Sequence, residues 1–151
     1  MTKTLVAGLG NELRGDDAAG LLAARGIRAL LLDNVDVEEH SADVAALADS
    51  MARHDQVVVI DAVVSGAPPG TVRELDPGSA VTRSQASSHG LGVVEALAIA
   101  HALGAKPHVR LIGIEGGQFE LGTKPSPAVS RAARMIAAHI AAQLREPNQC
   151  A

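Results

Sequence analysis

Short apolar segments alternate with longer segments whose apolar residues recur at helical spacing. This pattern predicts five strands, at residues 4–7, 35–39, 56–61, 71–75 and 108–114. It predicts helices between and after them, at residues 17–32, 44–52, 91–103 and 128–144. The strongest strand signal is the β-branched run Val57-Val58-Val59-Ile60, which is typical of a parallel strand buried on both faces.

The alternation of strands and helices indicates the fold class. It predicts a single α/β domain over residues 1–151, with a mostly parallel, twisted, five-stranded sheet covered by helices on both faces, an α/β/α sandwich. No repeat or linker divides the chain. In such folds ligands bind at the carboxyl ends of the strands, so polar residues that follow strands are the first candidates for a functional site.

Composition narrows the possible partners. Only 1% of the residues are aromatic and the net charge is −4 without a run of basic residues, which argues against stacking on bases, nucleic-acid binding and anionic membranes. Cys150 is the only cysteine, so no internal disulfide or Cys-x-x-Cys redox pair can form. No apolar run approaches the ~20 residues of a membrane span, and we expect a soluble, cytoplasmic protein.

The segment after the first predicted strand carries the most chemistry. Gly8-Leu9-Gly10 predicts a sharp turn, because glycine tolerates backbone angles that side chains forbid, and Asn11 follows it. Asp16 and Asp17 then stand at the start of a helix. A helix needs only one such cap, so the second acid is available for a cation or a substrate.

Three further residues are expected at the same edge of the sheet. Asp61 directly follows the buried run Val57–Ile60, His40 comes just after the second strand, and His89 stands at the head of a helix. Strands one and three are commonly neighbours in such sheets, so Asp17 and Asp61 can meet, with His89 as a third ligand. Two carboxylates and one imidazole suit a borderline divalent cation and leave positions open for water or substrate. Taken singly, each is more often a structural residue such as a helix cap or a turn acid.

The other histidines and motifs give weaker support for a function. His54 and His108 flank strands and are expected to be solvated. A dinucleotide fingerprint would need glycine where Leu13 stands, and the acids that follow would repel a pyrophosphate. No Gly-x-Ser-x-Gly motif occurs, so a serine-triad hydrolase has little support.

Four segments, taken together, carry a family resemblance. They read Gly8-Leu-Gly-Asn-Glu-Leu-Arg-Gly-Asp-Asp17, Val58-Val-Ile-Asp61-Ala62, Ser88-His89-Gly-Leu-Gly92 and Ile112-Gly-Ile-Glu115-Gly116. In this order and spacing, over about residues 4–135, they resemble the hydrogenase maturation endopeptidases. That family removes a C-terminal extension from the large subunit of nickel–iron hydrogenases, and the resemblance implies a peptidase with a phosphorylase/hydrolase-like α/β/α fold.

The resemblance also implies roles for individual residues. It makes Asp17, Asp61 and His89 the metal-contacting and catalytic residues. Gly10, Asn11 and Asp16 are expected to bind substrate, and His40 is a secondary substrate-binding candidate because of its place after the second strand. The resemblance implies nickel as the cofactor, supplied by the substrate, with a resting site that is empty or holds another divalent cation. The implied partner is a nickel–iron hydrogenase large-subunit precursor, with no nucleic acid or membrane.

Several points stay open on the sequence. Either the metal or a carboxylate, Asp16 or Asp17, activates the attacking water. A non-catalytic metal-sensing chaperone of the same fold would carry the same ligands. A peptidyl-tRNA hydrolase also begins with a strand and Gly-Leu-Gly-Asn, but its Thr-Arg-His-Asn element is absent here and the acidic balance disfavours RNA. The segment Glu39-His40-Ser41-Ala42-Asp43 departs from the acid, glycines and threonine found in many maturation endopeptidases, so the contacts of that loop are not carried over.

Overall fold

Five strands and four α-helices make up the part of the chain that the computed structural model describes, residues 2–41, 43–77 and 90–146. The strands are β1 (Thr4–Leu9), β2 (Val35–His40), β3 (Gln56–Val63), β4 (Val72–Leu75) and β5 (His108–Glu115). The helices are α1 (Ala19–Arg28), α2 (Val44–Ala52), α3 (Gly90–Ala102) and α4 (Pro127–Arg145). A 3₁₀ turn at Gly15–Ala18 leads directly into α1. None of the helices in these ranges combines the length and the apolar composition needed to cross a bilayer.

The sheet has the strand order β2-β1-β3-β5-β4. β1 pairs in parallel with β2 and β3, β3 pairs in parallel with β5, and β4 runs antiparallel to β5. Strands one and three are therefore neighbours, as the sequence predicts. The carboxyl ends of the four parallel strands form one edge, called the carboxyl edge below, which includes Leu9, His40, Val63 and Glu115.

Helices cover both faces of the sheet. Alternate side chains of a strand point to opposite faces. Val58 and Ile60 of β3 pack with α1 and α4, whereas Val57 and Val59 pack with α2 and α3. The two pairs of helices also pack against each other, α1 with α4 and α2 with α3. The predicted α/β/α sandwich is confirmed.

Two glycines allow the start of α1 to lie directly on the sheet. A Cβ atom on Gly20 would lie 2.1 Å from the carbonyl oxygen of Ile60 and 2.5 Å from that of Leu9. A Cβ atom on Gly8 would lie 2.4 Å from the carbonyl oxygen of Gly20. The first turn of α1 therefore presses on the ends of β1 and β3, and the residues just before it stand at the carboxyl edge.

Helix α1 is shorter than predicted. It ends at Arg28 rather than at residue 32. Leu31 and Asn34 have φ values of 50° and 60°, and a right-handed helix cannot continue through residues in the left-handed region. The apolar spacing extends past the point where the backbone turns towards β2.

A buried histidine corrects a second prediction. His54 was expected to be solvated, but its side chain is 1% exposed. Its Nδ1 lies 2.6 Å from the carbonyl oxygen of Ser50, and its Nε2 lies 2.7 Å from Oδ2 of Asp36. The hydrogen bond with His54 lowers the pKa of the Asp36 carboxyl, although burial acts in the opposite direction. The prediction was wrong because the ring, just after α2, lies between the backbone of Ser50 in α2 and the carboxylate of Asp36 in β2.

Candidate active site

The glycine turn after β1 places Gly10 against the backbones of two other candidate residues, Asp17 and His40. Gly10 has a φ of 147°, and a Cβ atom there would lie 2.0 Å from the carbonyl oxygen of Asp17, so the position requires glycine. The Gly10 amide donates to the carbonyl oxygen of His40 at 3.1 Å. Oδ1 of Asn11 accepts the amide of Leu13 at 2.9 Å, which shapes the loop. Contact of Gly10 or Asn11 with a substrate stays a prediction.

Asp17 and Asp61 come from adjoining segments of the carboxyl edge. Asp17 is 3% exposed and belongs to the 3₁₀ turn, which lies against β3. Asp61 is 1% exposed and lies inside β3, which continues to Val63. Gly20, three residues after Asp17, packs on the carbonyl oxygen of Ile60, the residue before Asp61. Two buried carboxylates are thus carried by segments in direct contact.

Asp16 holds the loop that follows β5. Its Oδ2 accepts the amides of Gly117 at 2.8 Å and Gln118 at 3.0 Å, and its Oδ1 accepts the amide of Ser126 at 2.7 Å. Burial raises the pKa of Asp16, but these amide hydrogen bonds together outweigh burial, and the pKa lies below its usual value of 3.8. The N-cap residue of α1 is Ala18 rather than either acid. These contacts give Asp16 a positioning role, and its contact with substrate stays a prediction.

His40 lies at the end of β2, beside the glycine turn. Its side chain is 10% exposed, and Nε2 lies 2.9 Å from Oε1 of Glu38. The hydroxyl of Ser50 donates to the same oxygen at 2.6 Å. His40 is therefore at the carboxyl edge, as predicted, and its ring contacts Glu38, which Ser50 of α2 holds by a hydrogen bond. Its contact with substrate also stays a prediction.

Glu115 belongs to this edge and was not among the predicted site residues. It ends β5 and is 1% exposed. Its Oε1 accepts the amide of Ser65 at 2.6 Å, and its Oε2 accepts the hydroxyl of Ser65 at 2.9 Å, which holds the loop after β3. The signal that singled out Asp61, an acid at the end of an apolar strand, applies equally to Glu115. The carboxylates buried in the described ranges all lie at this edge, namely Asp16, Asp17, Asp61 and Glu115.

The third predicted ligand, His89, lies outside the described residues. Helix α3 begins at Gly90, the next residue in the sequence. A Cβ atom on Gly92 would lie 3.4 Å from the side chain of Val44, so the first turn of α3 is beside the first turn of α2, which follows β2 at the carboxyl edge. Within residues 2–41, 43–77 and 90–146, no group of three or more His, Cys, Asp or Glu side chains is arranged to hold a metal ion.

Comparison with known families gives the chain its classification. A family model described as hydrogenase maturation protease matches residues 28–143, well over half of the chain. The chain belongs to the hydrogenase maturation protease family. It is therefore a peptidase, and the predicted resemblance is confirmed. The matched range includes Asp61 and begins after Asp17.

Individual members of the family agree with this classification. Hydrogenase expression/formation protein HupD of Thiocapsa roseopersicina is 30% identical over 148 residues, covering 88% of this chain and 67% of that protein. The crystal structure of the nickel–iron hydrogenase maturation protease HycI from Thermococcus kodakarensis KOD1 superposes with a TM-score of 0.83, at 27% identity, covering 96% of this chain and 94% of that one. The hydrogenase maturating endopeptidase HybD from E. coli gives a TM-score of 0.79 at 27% identity, covering 95% and 92%. This maturation protease thus shares its fold with two solved members over nearly its whole length.

Proposed function

We propose that this maturation protease removes the C-terminal extension of a nickel–iron hydrogenase large-subunit precursor, in the cytoplasm, after nickel has been inserted. Nickel belongs to the substrate in this proposal, and Asp17, Asp61 and His89 contact it. The observation that carries the proposal is that Asp17 and Asp61, both buried, come from adjoining segments of the carboxyl edge. His89 joins them on the sequence pattern.

The electrostatics of two buried carboxylates on adjoining segments favour a cation. A nearby cation stabilises the charge of a buried carboxylate, and two such carboxylates carried by touching segments favour a divalent ion brought by the substrate. Carboxylate oxygens with an imidazole form a ligand set that suits a borderline divalent ion such as nickel. A nickel-loaded precursor should therefore bind better than an empty one, which makes cleavage depend on correct metal loading.

Of the two adjacent acids, Asp17 is assigned to the nickel. Both oxygens of Asp16 accept amides from the loop after β5, so turning that carboxylate towards a ligand would break three hydrogen bonds. Asp16 instead fixes the 3₁₀ turn, and the turn carries Asp17. The assignment leaves Asp17 or Asp61 as the carboxylate that can act as general base.

The chemistry of the cleavage step has two possible routes. The substrate's nickel supplies a Lewis acid next to the scissile peptide, or Asp17 or Asp61 accepts the proton of the attacking water. In both routes, contact between the nickel and the enzyme's ligands holds the scissile peptide in place, and such positioning accounts for part of the rate. The buried setting of the two carboxylates strengthens either effect, because charges interact more strongly away from bulk water.

A cleavage assay on one precursor, prepared with and without nickel, tests the proposal. Intact-mass spectrometry is expected to show loss of a C-terminal peptide from the nickel-loaded precursor and none from the nickel-free form. Binding without any mass loss would contradict proteolysis and favour a metal-sensing chaperone. Equal cleavage of both forms would contradict recognition of nickel.

A further inference from the structure

Two exposed leucines stand on neighbouring loops of the carboxyl edge, the edge that carries the proposed active site. Leu13 is 61% exposed in the loop after β1, and Leu121 is 74% exposed in the loop after β5. The amide of Gly122 donates to the carbonyl oxygen of Leu13 at 2.7 Å, which brings the two loops together at these residues. Single exposed leucines are common on protein surfaces, whereas exposed apolar side chains on neighbouring loops offer a partner a shared apolar contact.

Residues 11–15 and 117–124 form one unit, called the double-loop lip below. The amide of Gly15 donates to the carbonyl oxygen of Thr123 at 3.1 Å. The carboxylate of the buried Asp16 accepts two amides at the start of the second loop. These hydrogen bonds hold the leucines in place before any partner arrives, and a preorganised surface binds at a lower entropic cost.

The charges of the double-loop lip are balanced. It carries two acids and two bases, namely Glu12, Arg14, Glu120 and Lys124. Glu12 is paired with Arg25 of α1 at 2.9 Å, so this acid is already engaged within the protein. A partner at this surface is therefore recognised by apolar contact rather than by net charge, and its binding should depend little on salt.

We propose that the double-loop lip docks an apolar segment of the hydrogenase large-subunit precursor. The inference rests on the proposed function, since it names the surface by which that substrate is held. Leu13 precedes Asp17 by four residues, and the lip shares the carboxyl edge with Asp17 and Asp61. The 3₁₀ turn that carries Asp17 continues directly from residues 11–15 of the lip, so a substrate segment bound at Asp17 can extend over the lip. The partner is thus an exposed apolar stretch of the precursor close to its cleavage site.

Replacement of both leucines tests the docking surface without changing any acid. The double variant Leu13→Gln, Leu121→Gln keeps side-chain size and removes apolar contact. For a nickel-loaded precursor we expect KM to rise about tenfold, as for loss of an apolar anchor in an interface. The value of kcat at saturation is expected to stay within about twofold, because the lost contacts act equally in the ground and transition states. The rise in KM should be the same at low and high salt.

A matched control uses two apolar side chains of similar exposure away from the lip. Leu103 is 67% exposed just after α3, and Met135 is 73% exposed on α4. The variant Leu103→Gln, Met135→Gln is expected to cleave with wild-type KM. A lip variant with unchanged KM, beside a wild type that cleaves normally, would overturn the docking inference and leave the proposed function intact. A wild type that leaves the precursor uncut would overturn the proposed function itself.

Light scattering tests the alternative that the double-loop lip binds a second copy of this chain. The docking inference predicts the same molar mass for wild type and lip variant in the absence of precursor. A wild-type dimer that dissociates when Leu13 and Leu121 are replaced would assign the surface to self-association and overturn the inference.

Discussion

The carboxylate of Asp16 accepts hydrogen bonds from three amides that lie 101, 102 and 110 residues further along the chain. A fully buried carboxylate is tolerated because charge-assisted hydrogen bonds offset its lost hydration. Asp17 stands next to it in the same 3₁₀ turn. The position of the proposed nickel ligand therefore depends on a neighbour whose own role is structural.

The variant Asp16→Asn tests this role at the level of stability. The new amide group presents a donor where the carboxylate presented an acceptor, so at least one loop amide loses its partner. We expect the free energy of unfolding at about pH 7 to fall by about 2 kcal/mol. Urea denaturation measures the change. Asp49→Asn is the control, because the Asp49 side chain is 71% exposed beside Arg53. This variant should change the free energy of unfolding by less than about 0.5 kcal/mol.

The same variant has a predicted pH dependence. The folded pKa of Asp16 lies below its usual value of 3.8, so its contribution to stability is complete above the unfolded pKa and is lost as pH falls through the folded pKa. The stability difference between wild type and Asp16→Asn should therefore be constant from about pH 7 to about pH 5 and shrink below about pH 4. A difference that stays constant down to acid unfolding would contradict this account of Asp16.

Among the helices and strands, the packing of α1 on the sheet matters most for the site. Gly20 faces the backbone carbonyls of Ile60 and Leu9, which cannot move without disturbing β1 and β3. A methyl group at this position would push away the start of α1, and with it the turn that carries Asp17. The contact between the two segments that carry the proposed carboxylate ligands thus depends on the absence of a side chain at Gly20.

The variant Gly20→Ala is expected to lose about 3 kcal/mol of stability, because its Cβ would overlap backbone atoms rather than flexible side chains. Chemical denaturation gives the loss directly. The variant Gly26→Ala, in the same helix, meets only the Cβ of Ala137 at 3.0 Å. The gain in helix propensity offsets that contact, so its stability should stay within about 1 kcal/mol of wild type. Equal effects of the two variants would contradict the close approach of α1 to the sheet.

The helices and strands themselves were predictable, because burial against the sheet imposes a local period on the sequence. The run Val57–Ile60 became the central part of β3, and the predicted range 44–52 became α2 without change. The end of α1 was not predictable in this way. Its apolar spacing continues past Arg28, and the turn there depends on the positive φ values of Leu31 and Asn34.

In the molecule as a whole, the parallel arrangement of the strands places the buried acids at the carboxyl edge of the sheet. The sequence indicated that Asp17 and Asp61 follow or end neighbouring parallel strands, and the structure places their segments in contact. The partners of Asp16 and of Glu115 could not be predicted. They are loop amides and a hydroxyl far away in the sequence, and no local spacing encodes such contacts. The burial of His54 escaped prediction because Asp36, one of the two partners of its ring, lies 18 residues away.

Turnover of a nickel-loaded precursor by single-site variants tests most directly whether Asp17, Asp61 and His89 form the active site. Asp17→Asn, Asp61→Asn and His89→Gln are compared with wild type and Asp49→Asn, with folding checked by circular dichroism. If the three residues meet at the substrate's nickel, each site variant should stay folded and lose at least about 100-fold in kcat/KM, while Asp49→Asn cleaves like wild type. Wild-type-like cleavage by Asp17→Asn or Asp61→Asn would contradict the assignment of these carboxylates.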